Sequence, residues 1–371
     1  MKRVLVTGGA GFIGSFIVDE LVRRGYGVRI FDSLDPQVHP GGRPPDYLNR
    51  EAEFVKGNME DIEAVYKALD GIEAVCHLAG AVGVGQSQYE IAHYVAANTQ
   101  GTANLLDILV NRKHRVGKLL VAASMSSYGE GVYNCPEHGD LRPPLRTEEQ
   151  VAGGDWELHC PKCNKYIRPA PTGEDARQNL NSIYALTKKT QEDMCLMIGR
   201  IYNLPTVALR FFNVYGPRQS LSNPYTGVAA IFMSRIKNGN RPVVYEDGEQ
   251  TRDFISIHDV VRASLLALES VKADYRVFNV GNGAALKIAE VARVIASVFG
   301  SDIEPEVTGK FRKGDVRHCY ADITRIREAL GFAPQVSFEE GMRELAGWAH
   351  GAESVDLFEK AAGELRAKGI V

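Results

Sequence analysis

Cysteine is too scarce here for a disulfide scaffold, with six in 371 residues. No apolar run approaches the roughly 20 residues that cross a bilayer. Neither sign of charge dominates: the formal charge is −3, so nothing draws the chain electrostatically to nucleic acid or an anionic membrane. There is no internal repeat and no low-complexity tract. Nor is there room for a leader, because "MKRVLVTGG" already reads as a strand entering a glycine turn. These absences predict a cytoplasmic globular protein with no membrane or nucleic-acid partner. What is present is ordinary for that class, with 44% hydrophobic and 24% charged residues. The length suits one large α/β domain or two unequal ones.

Strand-like apolar runs at 3–7, 28–32, 53–57, 74–78 and 118–123 alternate with helical spacing at 12–24 and 62–69. That alternation predicts a parallel, doubly wound sheet. Residues 130–180 break the pattern, being rich in proline, glycine and charge with little periodicity. A structureless loop of that length is improbable in a compact domain unless something organises it. A helix over 183–202 and a strand over 206–212 then resume the sheet. Beyond 213, shorter elements predict a smaller second domain, and 354–368 reads as an added helix.

"VLVTGGAGFIGS" places Gly8, Gly11 and Gly14 directly after a strand and at the start of a helix. Glycines there let the backbone approach a pyrophosphate, whose charge the helix N-terminus favours. Asp32 ends the second strand about twenty residues on, where a carboxylate accepts both ribose hydroxyls and repels a 2′-phosphate. No arginine follows in "DSLDP", which favours NAD over NADP.

"NSIYALTKK" puts Tyr184 and Lys188 on one face of a helix. A lysine cation beside a phenol lowers the phenol's pKa, making it a usable base. "SMSSYG" ends the fifth strand, where a parallel sheet presents its ligand site. Ser124 would there hydrogen-bond the hydroxyl that Tyr184 deprotonates.

Together with "HLAG" (77–80), "NTQGTANLL" (98–106), "LRFFNVYGPRQ" (209–219), "EDGEQTRDFISIHDV" (246–260) and "RKGDV" (312–316), these motifs resemble the extended short-chain dehydrogenase/reductase family. More narrowly, they resemble its NAD-dependent nucleotide-sugar epimerases, dehydratases and decarboxylases. The resemblance covers about residues 1–345 apart from 130–180. It implies a Rossmann-type NAD domain over 1–212 carrying the insertion, and a smaller α/β substrate domain mainly over 213–371, with some segments returning to the first. It also implies cofactor contacts from Gly8, Gly11, Phe12, Ile13, Gly14, Asp32, Asn58, Met59, Leu78, Ala79, Gly80, Asn98, Tyr184 and Lys188. The substrate, a nucleotide-diphosphate sugar, would meet Ser124, Ser126, Asn213, Arg252, Arg312 and Asp315. Arginine suits a diphosphate because its planar fork pairs with phosphate oxygens.

Two positions after Ser124 choose among the relatives. Dehydratases of the family place an Asp–Glu pair there, decarboxylating members a Glu, and 3,5-epimerases a Cys at the second position. Here they are Met125 and Ser126. What remains is 4-epimerisation, which needs a hydride carrier and one base. Another epimerase or a 4-ketoreductase is the alternative within the family, and a dinucleotide sensor or a zinc-ribbon adaptor outside it. The sensor would lack Tyr184 or Lys188, and the adaptor would want basic residues where "EEQVAGGDWE" (148–157) is acidic. "AVGVGQSQYE" (81–90), "SMSSYGEG" and "GPRQSLSNPYTG" are similar to members acting on deoxythymidine-diphosphate-linked L-rhamnose, although UDP-hexose 4-epimerases share most motifs. Relatives are commonly homodimers through helices equivalent to 98–110 and 183–202, where Met194, Leu196 and Ile198 would suit a bundle and core packing equally.

Inside the insertion, Cys135 with His138 and Cys160 with Cys163 form C-x-x-H and C-x-x-C pairs with the bite of a zinc knuckle. The stretch between them slightly exceeds the usual ribbon spacing, and His159 is a rival ligand. Four protein ligands close a tetrahedral zinc, so the expected site is structural rather than catalytic. It would supply the order that 130–180 otherwise lacks. The insertion leaves the chain after Ser124 and returns before Tyr184, so it should line the rim of the sugar pocket. Cys76 and Cys319 have no such partners and read as buried thiols.

Overall fold

The computed structural model describes residues 2–371. Strands and helices alternate first: β1 (Arg3–Thr7), α1 (Phe12–Arg23), β2 (Gly27–Asp32), β3 (Glu53–Lys56), α2 (Ile62–Ala68), β4 (Ala74–His77), α3 (Ile91–Tyr94), α4 (Gly101–Asn111) and β5 (Lys118–Ser124). Val4, Leu5 and Val6 are each fully buried, as expected of a strand covered on both faces, which reads as a continuous apolar run. Between α3 and α4 the helix widens to a π-helical segment, Val95–Gln100. Such segments are rare and often mark functional sites.

The insertion follows, with β6 (Val132–Cys135), β7 (Gly139–Leu141), α5 (Glu148–Ala152) and β8 (Arg168–Ala170). Its strands form a small antiparallel sheet with β6 in the middle. Tyr133, Cys135, Leu158, Cys160 and Ile167 make a hydrophobic cluster of its own. The segment is therefore ordered, and its strands are too short for an alternating pattern to show in the sequence.

The chain continues through α6 (Ile183–Ile201), β9 (Thr206–Phe211), β10 (Asn213–Tyr215), α7 (Val228–Lys237), β11 (Val243–Val244), β12 (Thr251–Arg252), β13 (Phe254–Ser256), α8 (Ile257–Glu269) and β14 (Arg276–Val280). It ends with β15 (Leu286–Lys287), α9 (Ile288–Val298), β16 (Glu306–Val307), β17 (His318–Cys319), α10 (Thr324–Leu330), α11 (Phe338–Gly351) and α12 (Phe358–Ala367).

Seven parallel strands form the main sheet in the order β14-β9-β5-β4-β1-β2-β3. The order reverses beside β1, which pairs with β2 on one side and β4 on the other. In an open parallel sheet the crevice at that switch point takes the ligand. Val260 and Leu265 of α8 and Phe278 and Val280 of β14 lie in the same core as β1 and α1. A separate cluster, with Met233 of α7, Val291 of α9 and Leu345 of α11, supports the smaller body. Among the described residues no helix is long and apolar enough to cross a membrane.

On α6 the structure gives core packing, one of the two readings open for these side chains. Leu196 is buried, and Met194 and Ile198 pack against the core beneath the sheet. The apolar side chains facing outward are Leu186, Met197 and Ile201. At 100° per residue Leu186, Met197 and Ile201 fall within about 60° of one another, with Met194 and Ile198 continuing from the edge of that face toward the core.

Candidate active site

Three glycines shape the turn after β1, each differently. Gly8 has φ +69°, and a Cβ there would come within 2.8 Å of the Ala79 nitrogen, so the turn passes hard against the loop after β4. At Gly14 a Cβ would lie 2.2 Å from the Gly8 oxygen. Gly11 is open by comparison, its nearest contact being the Gly8 oxygen at 3.3 Å. As the N-cap of α1 it supplies no side-chain cap, which leaves first-turn N–H groups free for an anion. An open glycine cradle with unspent donors fits a pyrophosphate. Phe12 and Ile13, opening α1, pack partly buried on the main core.

Asp32 lies at the end of β2 and is 8% exposed. Its carboxylate accepts the Ala10 N–H (3.0 Å) and the Leu34 N–H (2.9 Å), so it also latches the glycine turn to β2. On the next loops, Asn58 accepts the Glu60 N–H at 3.1 Å, and the Met59 carbonyl accepts from Asn104 at 3.0 Å. Leu78 packs against the main core, and the Ala79 N–H donates to Thr7 Oγ1 at 3.2 Å. Gly80 is squeezed by Asn98, whose Oδ1 would sit 2.8 Å from a Cβ.

Asn98 belongs to the π-helical segment. Its side chain exchanges two hydrogen bonds with the Ala81 backbone (2.7 and 3.1 Å) and donates to Thr187 Oγ1 (3.0 Å). The amide is engaged with protein atoms and pins the loop after β4 to α6. His77 is buried between Thr7 and Thr102 hydroxyls at 2.8 and 2.9 Å. Burial, with the Lys188 charge, lowers its pKa to about 3, so it is a neutral strut.

Ser124 ends β5. Its hydroxyl oxygen accepts from the Ser126 N–H (3.2 Å) and the Ser126 hydroxyl (2.9 Å), which leaves its own proton to donate. Ser182 caps α6 by accepting the Ala185 N–H at 3.1 Å, and Tyr184 and Lys188 follow one turn apart. The sequence argument has Lys188 drawing the Tyr184 phenol down. In the protein alone burial instead pushes the phenol up, with a Ser124 hydrogen bond opposing. Burial also lowers the Lys188 ammonium to about 8, so it has less charge to lend.

Two neighbours of Tyr184 carry no sequence signal. Ser87 Oγ accepts the Tyr184 N–H at 3.0 Å, and Tyr94 meets the Tyr184 ring edge-on at 6.4 Å. Their roles arise from tertiary contact between the loop after β4, α3 and α6.

On the opposite body Asp315 sits between two arginines, 3.0 Å from Arg312 and 3.5 Å from Arg252. Burial works to raise its carboxyl, but Arg312 and Arg252 hold it below the usual range. Arg312 also lies over the Tyr245 ring at 4.9 Å. Arg252 is fixed by the carbonyls of Thr251 (2.9 Å) and Arg317 (3.1 Å). Asn213, half-buried at the start of β10, is held through its N–H on the Asp253 carbonyl at 2.9 Å. Met125, beside Ser126, packs with Tyr128, Phe212 and Cys319.

A buried ionic lattice joins this body to the insertion. Arg146 pairs with Glu246 at 2.8 Å, both side chains 3% exposed. Fully buried Arg317 reaches Glu246 (3.0 Å), Asp247 (2.6 Å) and Glu157 (2.5 Å). Arg146 also donates to the Asp315 carbonyl at 3.2 Å.

All six thiols of the chain are free, and within the insertion three of them converge with a histidine. Cys135, His138, Cys160 and Cys163 place one donor atom each within 4.8 Å of one another. Cys135 Sγ is 3.4 Å from His138 Nδ1 and 3.7 Å from Cys163 Sγ, and Cys160 Sγ is 3.5 Å from the same nitrogen. Bonds of about 2.3 Å to sulfur and 2.0 Å to nitrogen give edges of roughly 3.8 and 3.5 Å in a tetrahedral zinc site, which the donors match. His159 lies apart, its Nε2 on Asp155 at 2.7 Å.

The model of the "NAD dependent epimerase/dehydratase family" matches residues 4–150, and that of "GDP-mannose 4,6 dehydratase" matches 167–345. The chain is 36% identical to a dTDP-L-rhamnose 4-epimerase of Burkholderia thailandensis, over 94% of each protein. A solved UDP-glucose 4-epimerase of Thermotoga maritima, with UDP-glucose, superposes with a TM-score of 0.76 at 32% identity, over 94% of this chain and 98% of that one. The UDP-glucose 4-epimerase of Thermus thermophilus, in complex with NAD, gives 0.74 at 30% identity, over 95% and 100%. The chain belongs to the NAD-dependent epimerase/dehydratase family.

Proposed function

We propose that the protein is an NAD-dependent isomerase that inverts C4 of a nucleotide-diphosphate sugar. The observation that carries this is one constellation: Ser124 at the end of β5 beside Tyr184 on α6, with Met125 and Ser126 where elimination would need carboxylates. Gly8, Gly11, Gly14 and Asp32 would hold the cofactor's pyrophosphate and ribose, with Leu78, Ala79 and Gly80 along its other side and Lys188 below. Bound NAD supplies the acceptor, and then the donor, of the C4 hydride. Ser124 Oγ holds the sugar O4 while Tyr184 Oη takes its proton, keeps it, and later returns it. Arg252 and Arg312 grip the diphosphate and Asp315 a ribose hydroxyl, so the nucleotide stays fixed while the sugar turns its other face. The Burkholderia relative makes dTDP-L-rhamnose the first substrate to try, and the Thermotoga relative makes UDP-glucose the second.

Cys135, His138, Cys160 and Cys163 would bind one structural zinc, with no position left open for substrate. The outward face of α6, with Leu186, Met197 and Ile201, would pair two copies into a homodimer. The location is cytoplasmic.

The test is NMR in D2O with deoxythymidine-, uridine- and guanosine-diphosphate sugars. A C4 epimer free of solvent deuterium is the expected product. Deuterium at C3 or C5, or loss of water to a 4-keto-6-deoxy sugar, would mean that an enolising base operates and the reading is wrong.

A further inference from the structure

The last helix, α12, begins at Phe358, beyond the residues 167–345 that the second family model reaches. It is firmly seated. Arg235 of α7 lies over the Phe358 ring at 4.5 Å and pairs with Asp356 at 3.5 Å. From there the helix crosses toward the C-terminal ends of the main strands. Leu365 packs so closely on the loop after β4 that a Cβ on Gly85 would lie 3.2 Å from it.

Glu364 makes the decisive contacts. Its Oε2 accepts the Tyr89 hydroxyl at 3.1 Å and the Tyr225 hydroxyl as well, while the two hydroxyls are 2.6 Å apart. Tyr89 lies in the loop after β4, two residues from Ser87, which receives the Tyr184 N–H. Tyr225 lies in the loop before α7, on the substrate body. One carboxylate thus ties together two loops that belong to different bodies.

The contacts continue until they close. Gln88 donates to the Asn181 carbonyl at 3.1 Å, and Asn181 donates to the Gly314 carbonyl at 2.7 Å. The Lys313 N–H donates to the Ile370 carbonyl at 3.0 Å, which returns the path to the tail. Residues 312–315 carry the Arg312–Asp315 pair. The tail, the loop after β4, the start of α6 and this clamp are therefore one ring of hydrogen bonds.

We propose that the C-terminal tail completes the nucleotide-sugar site, with Glu364 as a positioning residue that holds the Tyr89 and Tyr225 loops against each other. This rests on the reading of the cleft as a nucleotide-sugar site. The ligand gains because two loops and the clamp are ordered before it arrives, so less is spent ordering them on binding. Glu364 touches no reacting atom, and its loss acts on affinity.

The test uses full-length protein with NAD bound, and UDP and dTDP as probes in titration calorimetry. Glu364→Ala weakens the tighter of the two about tenfold, because only the part of the lost hydrogen-bond energy that ordered the two loops is felt in binding. Glu364→Gln, which keeps an acceptor oxygen, holds the affinity within about threefold. Tyr225→Phe removes the hydroxyl's contacts with Glu364 and Tyr89 and leaves the Tyr89–Glu364 bond; it serves if the alanine variant does not fold, its expected loss being about threefold. With a sugar substrate, Glu364→Ala raises KM and leaves kcat within about twofold. Wild-type affinity in both Glu364→Ala and Tyr225→Phe, or a fall in kcat at unchanged KM, overturns the proposal. If the nucleotide effects stand while no sugar is inverted at C4, the tail's role holds and the 4-epimerase reading falls. If neither nucleotide binds the wild type, both fall.

Discussion

Lys188 shows what a buried lysine costs the fold. The residue is 6% exposed, and burial lowers its pKa from 10.5 to about 8. The unfolded chain therefore binds more protons between about pH 8 and 10.5, and in that window stability rises with pH. Below it the charge is present in both states and the burial penalty is felt in full. Lys188→Met should remove turnover yet stabilise the protein at pH 7 by up to about 3 kcal/mol, at 1.36 kcal/mol per pKa unit. Denaturant melts at pH 7 and 10 check this: the wild type gains stability between them, and the variant lacks that gain. An equal gain in both would remove Lys188 as its source. Gly8, Asp32, Tyr184 and Lys188 stand out in the sequence because the chemistry proposed for them demands their type at a fixed spacing. Ser87 and Glu364 are not legible, because a hydroxyl or carboxylate on a loop or helix carries no mark of the partner it meets in space. Asp32 and Asn98 were legible as positions only. That Asp32 also staples the turn, and that Asn98 spends its amide on Ala81 and Thr187, depends on loops brought together by the sheet.

At the scale of elements, the insertion is the feature with most at stake. Its hydrophobic cluster holds five buried residues, two of them the cysteines Cys135 and Cys160. That is little apolar surface for a segment of such length, so metal ligation should decide whether it is ordered. Replacing Cys160 and Cys163 by Ser should lower zinc from about one per chain to none, by elemental analysis. Hydrogen exchange should then speed up across 132–170, with KM for the nucleotide sugar rising roughly thirtyfold, since reordering a rim on binding costs on the order of 2 kcal/mol. NAD binding should be unaffected. Unchanged zinc in that variant would dismiss these ligands. The lattice of Arg146, Glu246 and Arg317 explains why the effect should reach the clamp, for it runs from the insertion to the Asp315 carbonyl. The C-x-x-H and C-x-x-C pairs were readable because ligand spacing is local. The lattice was not, because its members come from four separate stretches of chain with no common period.

For the molecule as a whole, the alternation of strand and helix predicts the doubly wound sheet through β5, and the structure has it. The sequence places the break between bodies near 213, with some segments returning to the first. In the structure α8 packs on α1, and β14 forms the sheet's edge beside β9. This interleaving has a consequence for synthesis on the ribosome. The nascent chain cannot complete its first sheet until residue 280 has emerged, long after both Ser124 and Tyr184 have left the exit tunnel. Until then Val207 and Leu209, buried beneath later segments in the finished protein, stand exposed on an unfinished edge. A fragment ending at residue 212 should accordingly aggregate or be captured by chaperones, whereas one ending after α11, which closes the second core, should remain in solution, as sedimentation of the two released products would reveal.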